Sequence, residues 1–211
     1  MLRIVVNATA PDSESIRRAA VLLRDGGVGA IPTDTLYGLA VNPFDAAAVN
    51  RLFTIKHRAT DKALPLVAAD GAQVCAALGI WSPLAERLAA VFWPGPLTLV
   101  LPAPATLGTD VTGGTGTIGV RVPAHDVTRA LCAAAGTLLT ATSANITGSP
   151  ATADPNVVAI EMGACLDLIV DAGPSPGGLP STIVDVTGAQ PRLIREGALA
   201  WDAVLAAATR R

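Results

Sequence analysis

Histidine and cysteine are scarce in this chain, and much of the chemistry that depends on them is excluded at once. His57 and His125 are the two histidines among 211 residues, and no serine sits in a G-x-S-x-G turn. A Ser-His-Asp hydrolase therefore lacks its characteristic nucleophile setting, and His57 reads as a polar loop residue. Cys75, Cys132 and Cys165 are odd in number, far apart and set among apolar neighbours, with no CxxC and no zinc-like His spacing. They read as reduced core residues of a cytoplasmic protein, and no protein-held metal is expected. Long apolar runs are missing too, since proline or charge interrupts each one well before the ~18 residues of a membrane span. Met1 to Val6 is too short for a signal peptide, so a soluble protein without membrane contact is expected. There is no G-x-x-x-x-G-K-[ST] phosphate loop. With a net charge of −2, the surface as a whole does not favour nucleic acid, so any phosphate contact must come from a local patch. tRNA contact is left open rather than implied.

What is present is apolar residue, 51% against 15% charged, enough to bury one substantial core and too much for disorder. Residues 1–211 are expected to form a single domain. Strand and helix signals alternate along it. Leu2 to Val6 reads as a strand; Ser13 to Arg24 as a helix with Ile16, Ala19, Ala20 and Leu23 on one face, stopped by Gly26-Gly27; Val28 to Ile31 and Tyr37 to Val41 as strands. Asp45 caps a further helix, Leu64 to Ala68 is extended, Asp70 opens a helix, and Ser82-Pro83 starts another that ends at Trp93-Pro94. Leu97 to Leu101 and Thr117 to Val122 are strands around a Gly/Thr-rich loop, 103–116. His125 to Ala135 and Pro155 to Met162 are helical. Leu138 to Thr142, Leu168 to Asp171, Ser181 to Val186 and Arg192 to Arg195 are extended, before a last helix from Asp202. The expected fold is α/β, one twisted open mixed sheet with flanking helices.

Gly114-Thr-Gly116-Thr-Ile-Gly119 matches G-x-G-x-x-G, but the chain continues as Val120-Arg121-Val122-Pro123, a strand. The dinucleotide turn needs a helix N-terminus there, so the match is chance. A more informative cluster is basic. Arg51, Lys56, Arg58 and Lys62 gather four of the 15 Lys and Arg residues into one stretch with the single acid Asp61. If the helix stops near Ile55, an extended chain puts Lys56 and Arg58 on one face, and like charges held together call for an anion between them. Three hydroxyl-rich turns accompany it: Thr33 to Thr35 after a buried strand, Thr140 to Asn145, and Ser181-Thr182 after Gly177-Gly178. With Arg121 and Arg195 they describe a pocket of neutral donors and cations suited to phosphate and carboxylate.

The ordered blocks Pro32-Thr-Asp-Thr-Leu-Tyr-Gly-Leu, Lys56-x-Arg58, Trp93-Pro-Gly-Pro-Leu-Thr, Gly119-Val-Arg-Val-Pro, Ser143-Ala-Asn, Gly177-Gly-Leu-Pro-Ser-Thr and Arg195-Glu-Gly closely resemble the YrdC-like family of threonylcarbamoyl-AMP synthases. The resemblance runs from about Gly26 to Ala200. It implies an α/β fold with a positively lined cavity in which L-threonine, bicarbonate and ATP, the last with Mg2+, give threonylcarbamoyl-AMP and pyrophosphate. That intermediate serves the threonylcarbamoyladenosine modification of tRNA beside the anticodon, and separate partner proteins make the transfer. The same resemblance implies Lys56 and Arg58 as the catalytic pair, Thr35, Arg121 and Ala141 at L-threonine, and Arg58, Lys62, Thr117, Ser143, Asn145 and Arg195 at the nucleotide. With no nucleophile evident, catalysis is expected from positioning and electrostatics; Asp34 is one candidate for helping the carbamate form. Lys62 stands where relatives often carry Asn, and Ala151 where a Ser is expected. The chain resembles the short, single-domain members. Two other readings stay open: an RNA-binding module without chemistry, and a carbamoyl-transfer domain of the hydrogenase-maturation type.

Overall fold

The computed structural model describes residues 1–57, 59, 62–79 and 81–209. Among these, eleven strands and eight α-helices alternate along the chain. Local signals set most of their ends. Helix α1 (Ser13–Arg24) begins where the Asp12 carboxylate accepts from the Ser15 amide at 2.8 Å, and it buries Ile16, Ala19, Ala20 and Leu23. Asp45 caps α2 (Ala46–Lys56) through the amides of Ala47 and Ala48. Ser82 caps α4 (Pro83–Phe92), whose first-turn proline loses only an amide that would have no helical partner.

The expected single sheet is in fact divided into two. The first runs β1 (Leu2–Val5), β9 (Leu168–Asp171), β2 (Gly29–Ile31), β3 (Gly38–Ala40), β8 (Thr142–Ser143); the second runs β11 (Arg192–Arg195), β10 (Thr182–Asp185), β5 (Leu97–Pro102), β6 (Thr117–Arg121), β4 (Leu66–Val67), β7 (Leu139–Thr140). Both mix parallel and antiparallel pairs, for example β10 parallel and β6 antiparallel to β5. Helix α6 (Asp126–Ala135) lies with α1 over the first sheet, and Ile16, Leu23, Val127 and Leu131 meet Ile4, Ile31 and Val170 there. A larger core joins residues of both sheets, including Leu39, Ile169, Leu99, Val120 and Val184, with Leu52 of α2, Leu88 of α4, Val158 of α7 (Pro155–Met162) and Val204 of α8 (Trp201–Thr209).

Residues 139–143 are where the sheets meet. Thr140 pairs with Leu66 of the second sheet, and two residues later Thr142 pairs with Leu39 of the first. The crossing is stitched by Thr140 itself. Its amide donates to the Val41 carbonyl at 3.0 Å. Its hydroxyl accepts from the Val41 amide at 3.0 Å and donates to the Leu39 carbonyl at 3.1 Å. Gly38 lets the strands come this close, since a Cβ there would stand 3.3 Å from Ala141 Cα.

Three further expectations need correction. Helix α2 continues through Lys56 and ends on His57 in the left-handed region, φ 48°, so strand alternation cannot place Lys56. The 103–116 stretch is not all loop, because α5 (Thr109–Thr112) forms one turn within it. Only Cys132 is buried among the cysteines, whereas Cys75 and Cys165 are exposed: an apolar neighbourhood in sequence also occurs on the outer face of a helix. Among the described residues no helix is long and apolar enough to cross a membrane. Because Thr140 is fully buried, Thr140→Val leaves the Val41 amide without its acceptor. It is expected to cost about 1–3 kcal/mol, read as a shift in the denaturation midpoint.

Candidate active site

A cavity of about 530 Å³ opens where the two sheets meet, within the usual size range of small-molecule sites. The first sheet contributes Thr33, Thr35 and Tyr37 from the turn after β2, with Thr142 and Ser143 of β8; the second contributes Thr98 of β5, Gly119 and Arg121 of β6, Ser181 before β10, and Arg195 of β11. Leu66, Val67, Val100, Ile183 and Ile194 make the apolar wall. No carboxylate stands among the described lining residues, whereas two guanidinium groups do.

Strand geometry accounts for these positions. Gly119 and Arg121 are two apart on β6, so both face the same side. Gly119 leaves the space open, since a Cβ there would meet Thr98 Cγ2 at 3.2 Å. Thr98 and Ser181 share a hydroxyl hydrogen bond of 2.8 Å, and Arg195 Nη2 donates to the Ser181 carbonyl at 2.8 Å. The turn after β2 is held from within and from behind. Thr33 Oγ1 accepts from the Thr35 amide at 3.1 Å and donates to the Leu36 carbonyl at 2.7 Å. Tyr37, fully buried, donates its hydroxyl to the Gly173 carbonyl at 2.8 Å. Burial lowers the Arg121 guanidinium from its usual range; the adjacent Asp34 opposes that, and repulsion from Arg195 adds to it. Two cations that repel each other around a hollow favour an anionic guest.

Of the residues expected at the site, Thr35, Arg121, Ala141, Ser143 and Arg195 line this cavity. Thr117 lies on the same face of β6 as Gly119, one repeat further out, hydrogen-bonded to Thr115. Arg58 lies outside the described residues. Lys62 is exposed and is not among the described lining residues. Lys56 departs from the expected open cationic face. It is buried, and its ammonium donates to the carbonyls of Ser143 at 2.5 Å and Asn145 at 2.8 Å. Asn145 is buried beside it, accepting from Ser143 Oγ at 2.5 Å and donating to the Ser149 carbonyl at 2.6 Å. Lys56 and Asn145 thus hold the loop that presents Ser143 and do not themselves line the cavity. Arg51, the fourth cation of the basic stretch, makes a two-point ion pair with Asp167 at 2.6 and 2.9 Å, which holds that carboxyl below its usual range.

Thr98 is a site residue that sequence reasoning missed. As a lone hydroxyl in an apolar strand it reads equally well as a β-branched strand former. Its pairing with Ser181, 83 residues away, depends on the parallel β5/β10 register. Asp34 pairs with Arg121 at 2.7 Å. Among the described residues no three His, Cys, Asp or Glu side chains group as metal ligands.

Residues 21–197 match the Sua5/YciO/YrdC family, described as telomere recombination, and the chain belongs to that family. It is 38% identical over 199 residues to the threonylcarbamoyl-AMP synthase of Pyrococcus abyssi (strain GE5 / Orsay), covering 94% of this chain and 58% of that protein. To the threonylcarbamoyl-AMP synthase of Vibrio vulnificus (strain YJ016) it is 37% identical, covering 87% of this chain and 98% of that protein. The crystal structure of P. abyssi Sua5 complexed with L-threonine superposes with a TM-score of 0.92 at 36% identity, over 98% of this chain and 61% of that one. The chain therefore spans less than two thirds of the Pyrococcus protein and nearly all of the Vibrio protein.

Substituting Lys56 with Met keeps the stem and removes the ammonium. It is expected to cost about 1–3 kcal/mol for the lost charged hydrogen bonds, read from the denaturation midpoint. His125, at the start of α6, has a buried Nδ1 with no hydrogen-bond partner among the described residues. Burial lowers it from its ordinary 6.5, against the pull of Asp34 and Asp126 and with the push of Arg129. The folded protein keeps this ring neutral where the unfolded chain protonates it, so the unfolded state binds more protons and stability falls as pH drops through about 6.5. Thermal midpoints from about pH 7.5 to about 5.5 should show that fall, and His125→Gln should flatten it.

Proposed function

We propose that this chain is an L-threonylcarbamoyladenylate synthase, joining L-threonine, bicarbonate and ATP into threonylcarbamoyl-AMP with release of pyrophosphate and water. The observation that carries this reading is the cavity itself. It combines two guanidinium groups, neutral hydroxyls from both sheets and no lining carboxylate among the described residues, in a chain 37–38% identical to two synthases of that name. A carbamate next to a triphosphate is a crowded set of negative charges. Fixed cations and hydroxyls stabilise that set and hold the reacting atoms in line.

In this reading the threonine amine, once deprotonated, attacks the bicarbonate carbon, and the C–OH bond there breaks so that the hydroxyl leaves as water and a carbamate remains. A carbamate oxygen then attacks the α-phosphorus, and the bond to the β-phosphate breaks. Arg121 receives the threonine carboxylate, with Thr35 and the backbone at Ala141 orienting the amino acid. Arg195 and Ser143, with Thr117 further along β6, hold the nucleotide, and Arg58 and Lys62 are assigned to it by the family pattern alone. Lys56 and Asn145 contribute by fixing the Ser143 loop. Mg2+ would be carried in on the ATP phosphates, the described lining residues having no carboxylate to hold it, and would supply charge neutralisation there. The product serves the threonylcarbamoyladenosine modification of tRNA in the cytoplasm, with separate proteins making the transfer.

The test is release of pyrophosphate by the purified chain. Turnover is expected only when L-threonine, bicarbonate and Mg-ATP are all present, without tRNA, with threonylcarbamoyl-AMP identified by mass spectrometry. Salt-sensitive tRNA binding with no such turnover would point to an RNA-binding module instead.

A further inference from the structure

Resting on the synthase reading, we propose that Asp34 is a positioning residue: it aims the Arg121 guanidinium at the amino acid and does not itself take the proton from the threonine amine. Asp34 is in the turn after β2, and Arg121 ends β6, 87 residues later. The two side chains meet almost out of solvent, at 11% and 10% exposure. Arg121 Nη1 donates to Asp34 Oδ1 at 2.7 Å, and the Ala124 amide donates to Asp34 Oδ2 at 3.1 Å. Each carboxylate oxygen therefore already has a partner. Taking up a proton would neutralise the carboxylate, and so weaken both the ion pair that holds the buried guanidinium and the bond from the Ala124 amide.

For Arg121 the consequence is the reverse. A guanidinium carries five N–H donors in a rigid fork. Its hydrogen bonding among the described residues is to Asp34, through Nη1, while its side chain lines the cavity. One point is fixed and the rest of the fork is left for a guest. The charge of Arg195 repels it, so without Asp34 nothing described would resist a swing of the fork away from its neighbouring cation. Asp34 also accepts from the Ala124 amide just before α6, so the carboxylate that holds Arg121 is itself fastened to the chain that follows β6. The affinity for L-threonine should thus depend on Asp34 although Asp34 is not among the described lining residues.

The experiment compares Asp34→Asn, Arg121→Ala and the double variant with the parent chain, in threonine-dependent pyrophosphate release and in L-threonine binding by calorimetry. Asp34→Asn is expected to raise KM for L-threonine by about tenfold or more while KM for ATP moves less than about threefold. In kcat/KM for L-threonine, the loss from Asp34→Asn should shrink below about twofold once Arg121 is already Ala, because the residue acts through the arginine. Should Arg121→Ala leave no measurable rate, thermal midpoints give the same cycle. There the double variant should be at least as stable as Arg121→Ala alone, since that single variant leaves a buried carboxylate unpaired. Equal rises in both KM values, a kcat loss with KM for threonine unchanged, or additive effects would overturn the proposal. A parent chain with no threonine-dependent turnover would overturn the synthase reading instead, and the stability cycle would still report on the pair.

Discussion

The crossing of residues 139–143 from one sheet to the other is the constraint on which the rest of the structure depends. A strand that ends in one sheet and resumes in another must break its ladder, and the freed groups must be satisfied inside the protein. Thr140 does this with its own hydroxyl, which serves β3 as both donor and acceptor, while the Ala141 amide reaches back to the Pro65 carbonyl at 2.8 Å. Because the sheets join there and not along a shared ladder, a hollow remains between β3 and β8 on one side and β5, β6 and β10 on the other. The turn at the carboxyl end of β2 delivers Thr33 and Thr35 into it, and β6 ends there on Arg121. Ligands gather at such changes of strand order for the same reason in other α/β proteins.

Charge then sorts itself by depth. Arg51 is exposed and matched by Asp167, which also caps the Val28 amide at 2.8 Å, so this pair fastens α2 to the entry of β2. Lys56 is buried and matched by carbonyl oxygens, which keeps its charge while tying α2 to the loop behind Ser143. Arg121 has one carboxylate and faces a second arginine. The first two arrangements are internally satisfied and need no guest. The third retains uncompensated positive charge in a partly desolvated hollow, where an anion is held far more strongly than at the surface.

Much of the secondary structure is legible in the sequence because its causes are local. Asp12, Asp45, Ser82 and Asp154 each cap the helix that begins next to them, and the apolar spacing of Ile16, Ala19, Ala20 and Leu23 marks the buried face of α1. The hydroxyl-rich turns are recognisable for a similar reason, as polar breaks at the ends of apolar strands. Sequence reasoning fails where neighbours along the chain do not decide. Leu138 to Thr142 reads as a single strand, and nothing in its own residues reveals that it changes sheets after Thr140. The basic stretch from Arg51 to Lys62 reads as one cationic face, yet its described members separate to a clamp, a buried anchor and an exposed side chain.

The amino-acid sequence by itself determined the elements, their caps and the chemical inventory of a cationic, hydroxyl-rich site, since propensity, periodicity and capping act over a few residues. Tertiary structure alone decided which of those groups share the cavity. Thr98 meets Ser181 across 83 residues and Asp34 meets Arg121 across 87, and such pairings arise from strand register and the crossing of the two sheets. Those are set by the burial of both sheets' apolar faces in a common core, a property of the whole chain that no short segment encodes.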